Sequence, residues 1–120
     1  MTDTLAIGKK GEQAVEKFLR KQKFRILERN WRAGRYEIDL VVQKGDTLHF
    51  VEVKSRKAGS LTTPEEAITQ AKFDALCMAA RAYLAAHPWD GEVQFDLAAV
   101  EIDGNLHEVR YIPNAMTPRW

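Results

Sequence analysis

Ile7, Ala14, Val15, Phe18 and Leu19 fall on one arc of a helix running from Leu5 to about Gln22, with Lys9, Lys10, Lys17, Arg20 and Lys21 opposite. Glu12 sits on the rim of that arc, and Gly8 and Gly11 leave the same side open to close approach by a backbone or a ligand. The period then changes from helical to alternating. Residues 24–32 (FRILERNWR) and 36–44 (YEIDLVVQK) read as strands, and a turn over Lys44–Thr47 leads into a third, LHFVEVKSR. Residues 58–62 read as a loop. Thr63 can cap a long helix ending near His87, with Pro64 at its first position and Glu66 completing a capping box. This helix is apolar almost all round, which predicts cover on more than one side. Residues 92–102 and 106–112, joined by Asp103-Gly104-Asn105, supply two more strands. The order α-β-β-β-α-β-β predicts an α/β fold, a mixed five-stranded sheet flanked by helices with a long crossover helix, in a single domain spanning residues 1–120.

One stretch resists this scheme. In LHFVEVKSRKA, Leu48 to Ala58, alternation sends Leu48, Phe50, Glu52, Lys54 and Arg56 to one face and His49, Val51, Val53 and Ser55 to the other. An acid and a base thus follow two large apolar side chains on an inward face, where charges need a partner. On the preceding strand Glu37, Asp39 and Val41 alternate with Tyr36, Ile38, Leu40 and Val42. A hairpin turning at Gly45-Asp46 sets Leu40 to Val42 opposite Val51 to His49, to within about two residues, and so brings Asp39 near Glu52.

Adjacent carboxylates repel unless a cation sits between them. Mg²⁺ (or Mn²⁺) meets that need, since it takes oxygen ligands, one or two of them carboxylates, and leaves positions for water and substrate phosphate. Asp39 and Glu52 are the candidate metal ligands, with the Val53 carbonyl as a further one. Lys54 would then face the attacked phosphate, orienting water or offsetting charge on the phosphoryl oxygens. Taken alone, E-x-K on a strand is more often a same-face salt bridge than a site.

Charge sharpens the picture. The net charge of +1 hides an asymmetry: residues 1–36 carry ten Lys/Arg against four acids, and residues 61–120 carry four against nine. Such separation points to an anionic partner. The helix bases alone would serve equally as a solvated face. Their continuation through Arg25, Arg29, Arg32 and Arg35 into strand and loop favours a polyanion site, with Arg29, Arg32 and Arg35 as candidate nucleic-acid contacts. Arg56, one strand step beyond Lys54, can grip phosphate bidentately. Lys72 reads either as a snorkelling lysine or as a phosphate contact. Trp31, between Arg29 and Arg32, is expected in packing rather than stacked on a base, and Asp96 is expected to be structural. The single cysteine, Cys77, excludes a disulfide framework within the chain, and His49, His87 and His107 lack metal-ligand spacing. The opening residues lack the apolar run of a signal peptide and no stretch is long enough to span a membrane, so a cytoplasmic protein is expected.

The blocks GKKGEQAVEKFL, ILERNWR, EIDLVV, FVEVKSR, PEEAITQAK and QFDLAAV follow one another over nearly the whole chain. In that order they resemble the bacterial YraN-type family within the PD-(D/E)XK, or restriction-endonuclease-like, superfamily, which is similar to archaeal Holliday-junction resolvases. The resemblance implies a restriction-endonuclease-like core, Asp39 and Glu52 as metal carboxylates, Lys54 as the catalytic lysine, and Glu12 as the first-helix acid of resolvase-like members. It departs at Tyr36, where the family usually has Gly before Glu-Ile-Asp; a bulky residue there would alter a tight turn or narrow access.

The expected function is therefore Mg²⁺-dependent endonuclease activity on nucleic acid, DNA ahead of RNA, with branched or single-stranded DNA among the candidate substrates. Resolvase-like action would require two sites, hence a homodimer. A second reading is a nucleic-acid-binding module that keeps the fold with little or no cleavage. A third is a protein-interaction domain whose acidic C-terminal half docks a basic partner. The intact set of Asp39, Glu52 and Lys54 favours the first.

Overall fold

The computed structural model describes residues 4–60 and 65–118. A first helix, α1 (Thr4–Lys21), precedes β1 (Arg25–Ala33), β2 (Tyr36–Lys44) and β3 (Thr47–Lys57). After a short 3₁₀ turn at Glu65–Ala67 come α2 (Gln70–Ala86), β4 (Glu92–Asp103) and β5 (Leu106–Met116). The strands form one sheet in the order β1-β2-β3-β4-β5, antiparallel throughout except for the parallel pair β3–β4, which α2 connects. This is the mixed five-stranded sheet and element order that the periodicity predicts.

The helices cover opposite faces. Val15 and Leu19 of α1 pack on Leu40, Val42, Val51, Val53, Ala98 and Val100. Phe73, Leu76, Ala80 and Tyr83 of α2 pack on Ile38, Val41, Leu48, Phe50 and Phe95. On the α1 face, buried Asp96 accepts hydrogen bonds from the Asn114 N–H (2.7 Å) and Gln94 Nε2 (3.0 Å), lies 2.6 Å from His49 Nδ1, and binds the Tyr111 hydroxyl. Its expected structural role stands. Among the described residues no helix is long and apolar enough to cross a membrane.

The second helix differs from expectation in two ways. It begins at Gln70, with Thr69 rather than Thr63 as its cap: the Thr69 hydroxyl accepts the Lys72 N–H at 3.2 Å, from an extended backbone at φ −109°. Thr63 and Pro64 lie outside the described residues. Among those described, α2 is also covered on one side, its other side leaving Ala71, Ala85 and Met78 exposed. Its apolar composition comes largely from alanine, whose small side chain costs little to expose.

The β2–β3 register agrees with the hairpin argument residue for residue, with Leu40 opposite Val51, Val41 opposite Phe50 and Val42 opposite His49. Alternation along β2 does not hold to its start. Ile38 shares the α2 face with Val41, while Leu40 and Val42 face α1. Pairing with β3 stops at Leu40, whereas pairing with β1 continues to Ala33–Tyr36, so the strand turns at Asp39 to follow β1 alone. The β1–β2 turn places its glycine at Gly34 (φ +60°), and Tyr36 is an ordinary strand residue packed on the α2 side. Tyr36 therefore neither disturbs the turn nor narrows the site described below.

The helix α1 crosses β3 closely at one point. A Cβ on Gly11 would lie 1.8 Å from Ser55 Oγ and 2.9 Å from Ser55 Cβ, whereas one on Gly8 would meet nothing within 4 Å. The close approach at Gly11 is thus to the sheet rather than to a ligand. Gly11→Ala is expected to destabilise the protein by about 1–3 kcal/mol through overpacking, despite the better helix propensity of alanine. Urea denaturation checks this, and Ser55→Gly in the same chain should restore part of the loss.

Candidate functional site

Where β2 leaves β3 a gap opens in the sheet, and Asp39 turns its carboxylate into it. Asp39 Oδ2 accepts the Val53 N–H at 2.8 Å. A strand residue's N–H and C=O leave on the same edge, so the Val53 carbonyl also faces the gap. The strand β3 is eleven residues long, and α2 packs on its first half, at Leu48 and Phe50. Glu52 and Lys54 continue that face beyond the helix, each side chain 18% exposed, with Lys54 Nζ 3.3 Å from Glu52 Oε1. This resolves the puzzle of the charged inward face: the pair stands at the sheet's open end, not in the core.

Topology gathers the remaining groups. A crossover helix after β3 must start at the carboxyl end of that strand, the usual place for ligand sites in α/β sheets. Lys72, in the first turn of α2, accordingly stands beside Lys54 and Glu52. From the other face α1 contributes Glu12. A cavity of about 780 Å³ results, walled by Glu12, Asp39, Val53, Lys54, Arg56 and Arg29 among others. Glu52 is not part of the wall but supports Lys54 from behind.

The acids crowd one another. Burial, and then the charge of Glu52, push the Asp39 carboxyl up to about 7, against the pull of the Val53 N–H. Burial also raises Glu52, opposed by Lys54 and Lys72, and burial together with Glu37 and Glu16 raises Glu12. Lys72 is lowered, chiefly by Lys54 beside it. An unfolded Asp titrates near ~4. Between there and 7 the folded protein binds the extra proton, so its stability falls as pH rises through that window. Asp39→Asn keeps an acceptor for Val53 and cannot ionise. Urea melts of the metal-free protein from pH 5 to 8 should show declining stability in the wild type and a flatter profile in Asp39→Asn.

The predicted basic residues divide into two groups. Arg29 and Arg56 line the cavity, Arg29 with its Nε 2.7 Å from Glu16 Oε1, and Arg56 donating to the Ser55 carbonyl at 3.1 Å. Arg32 and Arg35 lie along the β1–β2 hairpin outside it, Arg32 paired with Glu37 at 3.4 Å and Arg35 donating to the Tyr36 hydroxyl at 3.1 Å. Trp31 packs edge-on against Tyr83, ring centroids 5.1 Å apart, in the packing role expected of it. Asn30 joins the site only in the folded structure. It falls across from Asp39, between the pairs Arg29–Leu40 and Trp31–Ile38, at φ +49°. With its amide nitrogen turned to the acids, it donates to Glu12 Oε1 at 2.9 Å and Glu37 Oε1 at 3.2 Å, tying α1 to β2. The available signal was an asparagine inside a strand, where that residue is depleted but tolerates positive φ.

Among the described residues no group of three or more His, Cys, Asp or Glu side chains is gathered tightly enough to cage a metal. Two carboxylates and a carbonyl still suit Mg²⁺ or Mn²⁺, which complete their shells with water and substrate oxygens. The repulsion between Asp39 and Glu52 is what such a cation would relieve.

Fold and site together define an α/β protein with an acid–acid–lysine constellation at the carboxyl end of its parallel strand pair. The chain belongs to the uncharacterised protein family UPF0102, matched over residues 11–100. It is 42% identical over 111 residues to a UPF0102 protein of Nitratidesulfovibrio vulgaris, covering 92% of this chain and 83% of the relative. It is 37% identical over 110 residues to one from Syntrophomonas wolfei, covering 91% and 96% respectively. A Geobacter metallireducens relative is 36% identical over 111 residues, covering 92% and 91%.

Proposed function

We propose that this protein is a metal-dependent endonuclease of the restriction-endonuclease-like superfamily, akin to archaeal junction resolvases, acting on cytoplasmic DNA. The observation that carries this reading is the meeting of Asp39 and Glu52 from adjacent strands, with Lys54 held by Glu52 at the wall of a cation-lined cavity. Asp39, Glu52 and the Val53 carbonyl would hold Mg²⁺ or Mn²⁺. Such an ion, when bound, polarises water and neutralises charge on a phosphoryl group. Lys54 faces the scissile phosphate and offsets charge as it develops, held in place by Glu52. Arg29 and Arg56 grip the neighbouring phosphates, and Glu12 with Asn30 sets the opposite wall. The Glu52–Lys54 ion pair is also compatible with a second reading, a nucleic-acid binder with little or no cleavage. Incubation with duplex, single-stranded, flap and four-way DNA under Mg²⁺ and under Mn²⁺ separates the two.

Metal binding has its own test, independent of turnover. Millimolar Mn²⁺ should raise the wild-type melting temperature by mass action, following RT ln(1 + [L]/Kd). Asp39→Asn and Glu52→Gln should each lose that gain. If Glu52 served as a salt-bridge partner alone, Glu52→Gln would destabilise the metal-free protein and Mn²⁺ would move no melting curve.

A further inference from the structure

The sheet side covered by α2 carries charges of both signs, Glu28 and Glu101 along with Lys54, Lys72 and Arg110. On the α1 side the helix divides its own charges. Glu16 is turned towards β1, where it binds Arg29, and Glu12 is turned into the cavity. Lys10, Lys17 and Lys21 lie further round the helix, Lys17 and Lys21 sharing a shallow depression with Glu16. All three are exposed, and none takes part in an ion pair among the described residues. The β1 arginines differ, since Arg29 and Arg32 each have a carboxylate partner.

Spacings of seven and four residues put these lysines on one side of the helix, in a row roughly 16 Å long at 1.5 Å per residue. A shallow groove of about 250 Å³ flanks the row, where Lys10 and Lys17 meet Asn105 and His107 of the β4–β5 turn over a floor of Ala14 and Ile102. Round the helix from the row, exposed Gln13 and Lys9 lead to the candidate active-site cavity, which both of them line. A nucleic-acid strand carries one charge per ~3.4 Å of axis, so a row of this length faces several consecutive phosphates.

We propose that the outer face of α1, at Lys10, Lys17 and Lys21, is a docking surface for the phosphodiester backbone of a nucleic acid whose neighbouring segment enters the cavity. The surface supplies sequence-independent affinity, while the cavity arginines act locally on the reacting segment. An anionic membrane is the other polyanion that attracts such a row. It is disfavoured because the apolar side of α1 is spent on the core, with Val15 and Leu19 fully buried, and no apolar face remains to enter a bilayer. The proposal rests on nucleic acid being the partner, but not on cleavage.

The test is fluorescence anisotropy of a labelled duplex and a labelled single strand, titrated with full-length protein from 50 to 200 mM salt without divalent metal. Lys10→Gln/Lys17→Gln/Lys21→Gln should weaken binding to every sequence and flatten the slope of log K against log salt by about 2–3 for duplex, at ~0.9 per phosphate contact. Arg81→Gln, an exposed charge on α2, should leave the slope unchanged. An unchanged slope in the triple variant overturns the proposal while leaving the nuclease reading intact. An equal effect of Arg81→Gln per charge reduces the row to a share of the net charge and also overturns it. Binding to phosphatidylserine vesicles but to neither oligonucleotide overturns both this proposal and the nucleic-acid reading. Binding that follows the lysines, with no cleavage under any metal, supports the docking surface and removes the endonuclease.

Discussion

Lys54→Ala is expected to reduce metal-dependent cleavage by at least about a hundredfold, the usual cost of removing one preorganised group that stabilises charge in a transition state. DNA affinity and stability should change little. Lys54 belongs to neither hydrophobic cluster, and Glu52, its ion-pair partner at the sheet's open end, is already pushed up by burial and can take up a proton once the lysine is gone. Single-turnover cleavage with saturating protein isolates the chemical step, and anisotropy measures binding in parallel. Lys54→Arg keeps the charge but not the compact ammonium, so it should retain binding without full activity. Cleavage by Lys54→Ala at the wild-type rate would take this lysine out of the mechanism.

The largest effect on stability is expected at the opposite end of β4. Asp96 is fully buried on the α1 face at an irregularity of the β4–β5 pairing, and its carboxylate is ringed by His49, Gln94, Tyr111 and the Asn114 N–H. Burial would raise its pKa, but the hydrogen bonds from His49, Tyr111, Asn114 and Gln94 together hold it below the usual carboxylate range. Burial and the charge of Asp96 in turn push the Tyr111 hydroxyl strongly up, keeping it a proton donor. Asp96→Ala strands all these donors in the core and should cost about 3–5 kcal/mol, in the range for breaking a buried charged network. Because its folded pKa is depressed, the stabilisation from Asp96 is complete above the unfolded value near ~4 and is lost as pH falls below it. Denaturation at pH 7 and pH 3 checks both statements: the gap between the wild type and Asp96→Ala should be about 3–5 kcal/mol at pH 7 and narrower at pH 3. A gap that stays constant with pH would mean that the carboxylate's charge plays no part.

The local code was legible to a useful depth. Helical spacing defined α1, alternation defined the strands, and Gly45-Asp46 was enough to set the β2–β3 register and so to place Asp39 near Glu52. These are short-range properties, decided by backbone geometry and turn chemistry between neighbours in sequence. The cap of α2 is not legible in the sequence because TPEEAIT holds two threonines able to cap, and local sequence does not rank them. Among the described residues the helix starts after Thr69, a phase that lays Phe73, Leu76, Ala80 and Tyr83 on the sheet. Strict alternation failed at Ile38 for a similar reason, because β2 obeys β3 on one side and β1 on the other, and their pairings end at different residues.

By itself, then, the sequence determined the order and type of the elements, the hairpin register, and the candidates for chemistry: an acid on β2, an acid and a lysine on β3, and a basic first third. The tertiary structure alone decided what those residues meet. It stopped α2 short of Glu52 and Lys54, so that the pair stands at a cavity instead of in the core. It also brought Asn30 between Glu12 and Glu37, and turned the acids of α1 inward while its lysines stayed outside. The physical reason is range. Periodicity and turn propensity act over a few residues, whereas burial, repulsion between carboxylates and the pairing of charges depend on distances across elements far apart in the chain, which exist only once the sheet has formed.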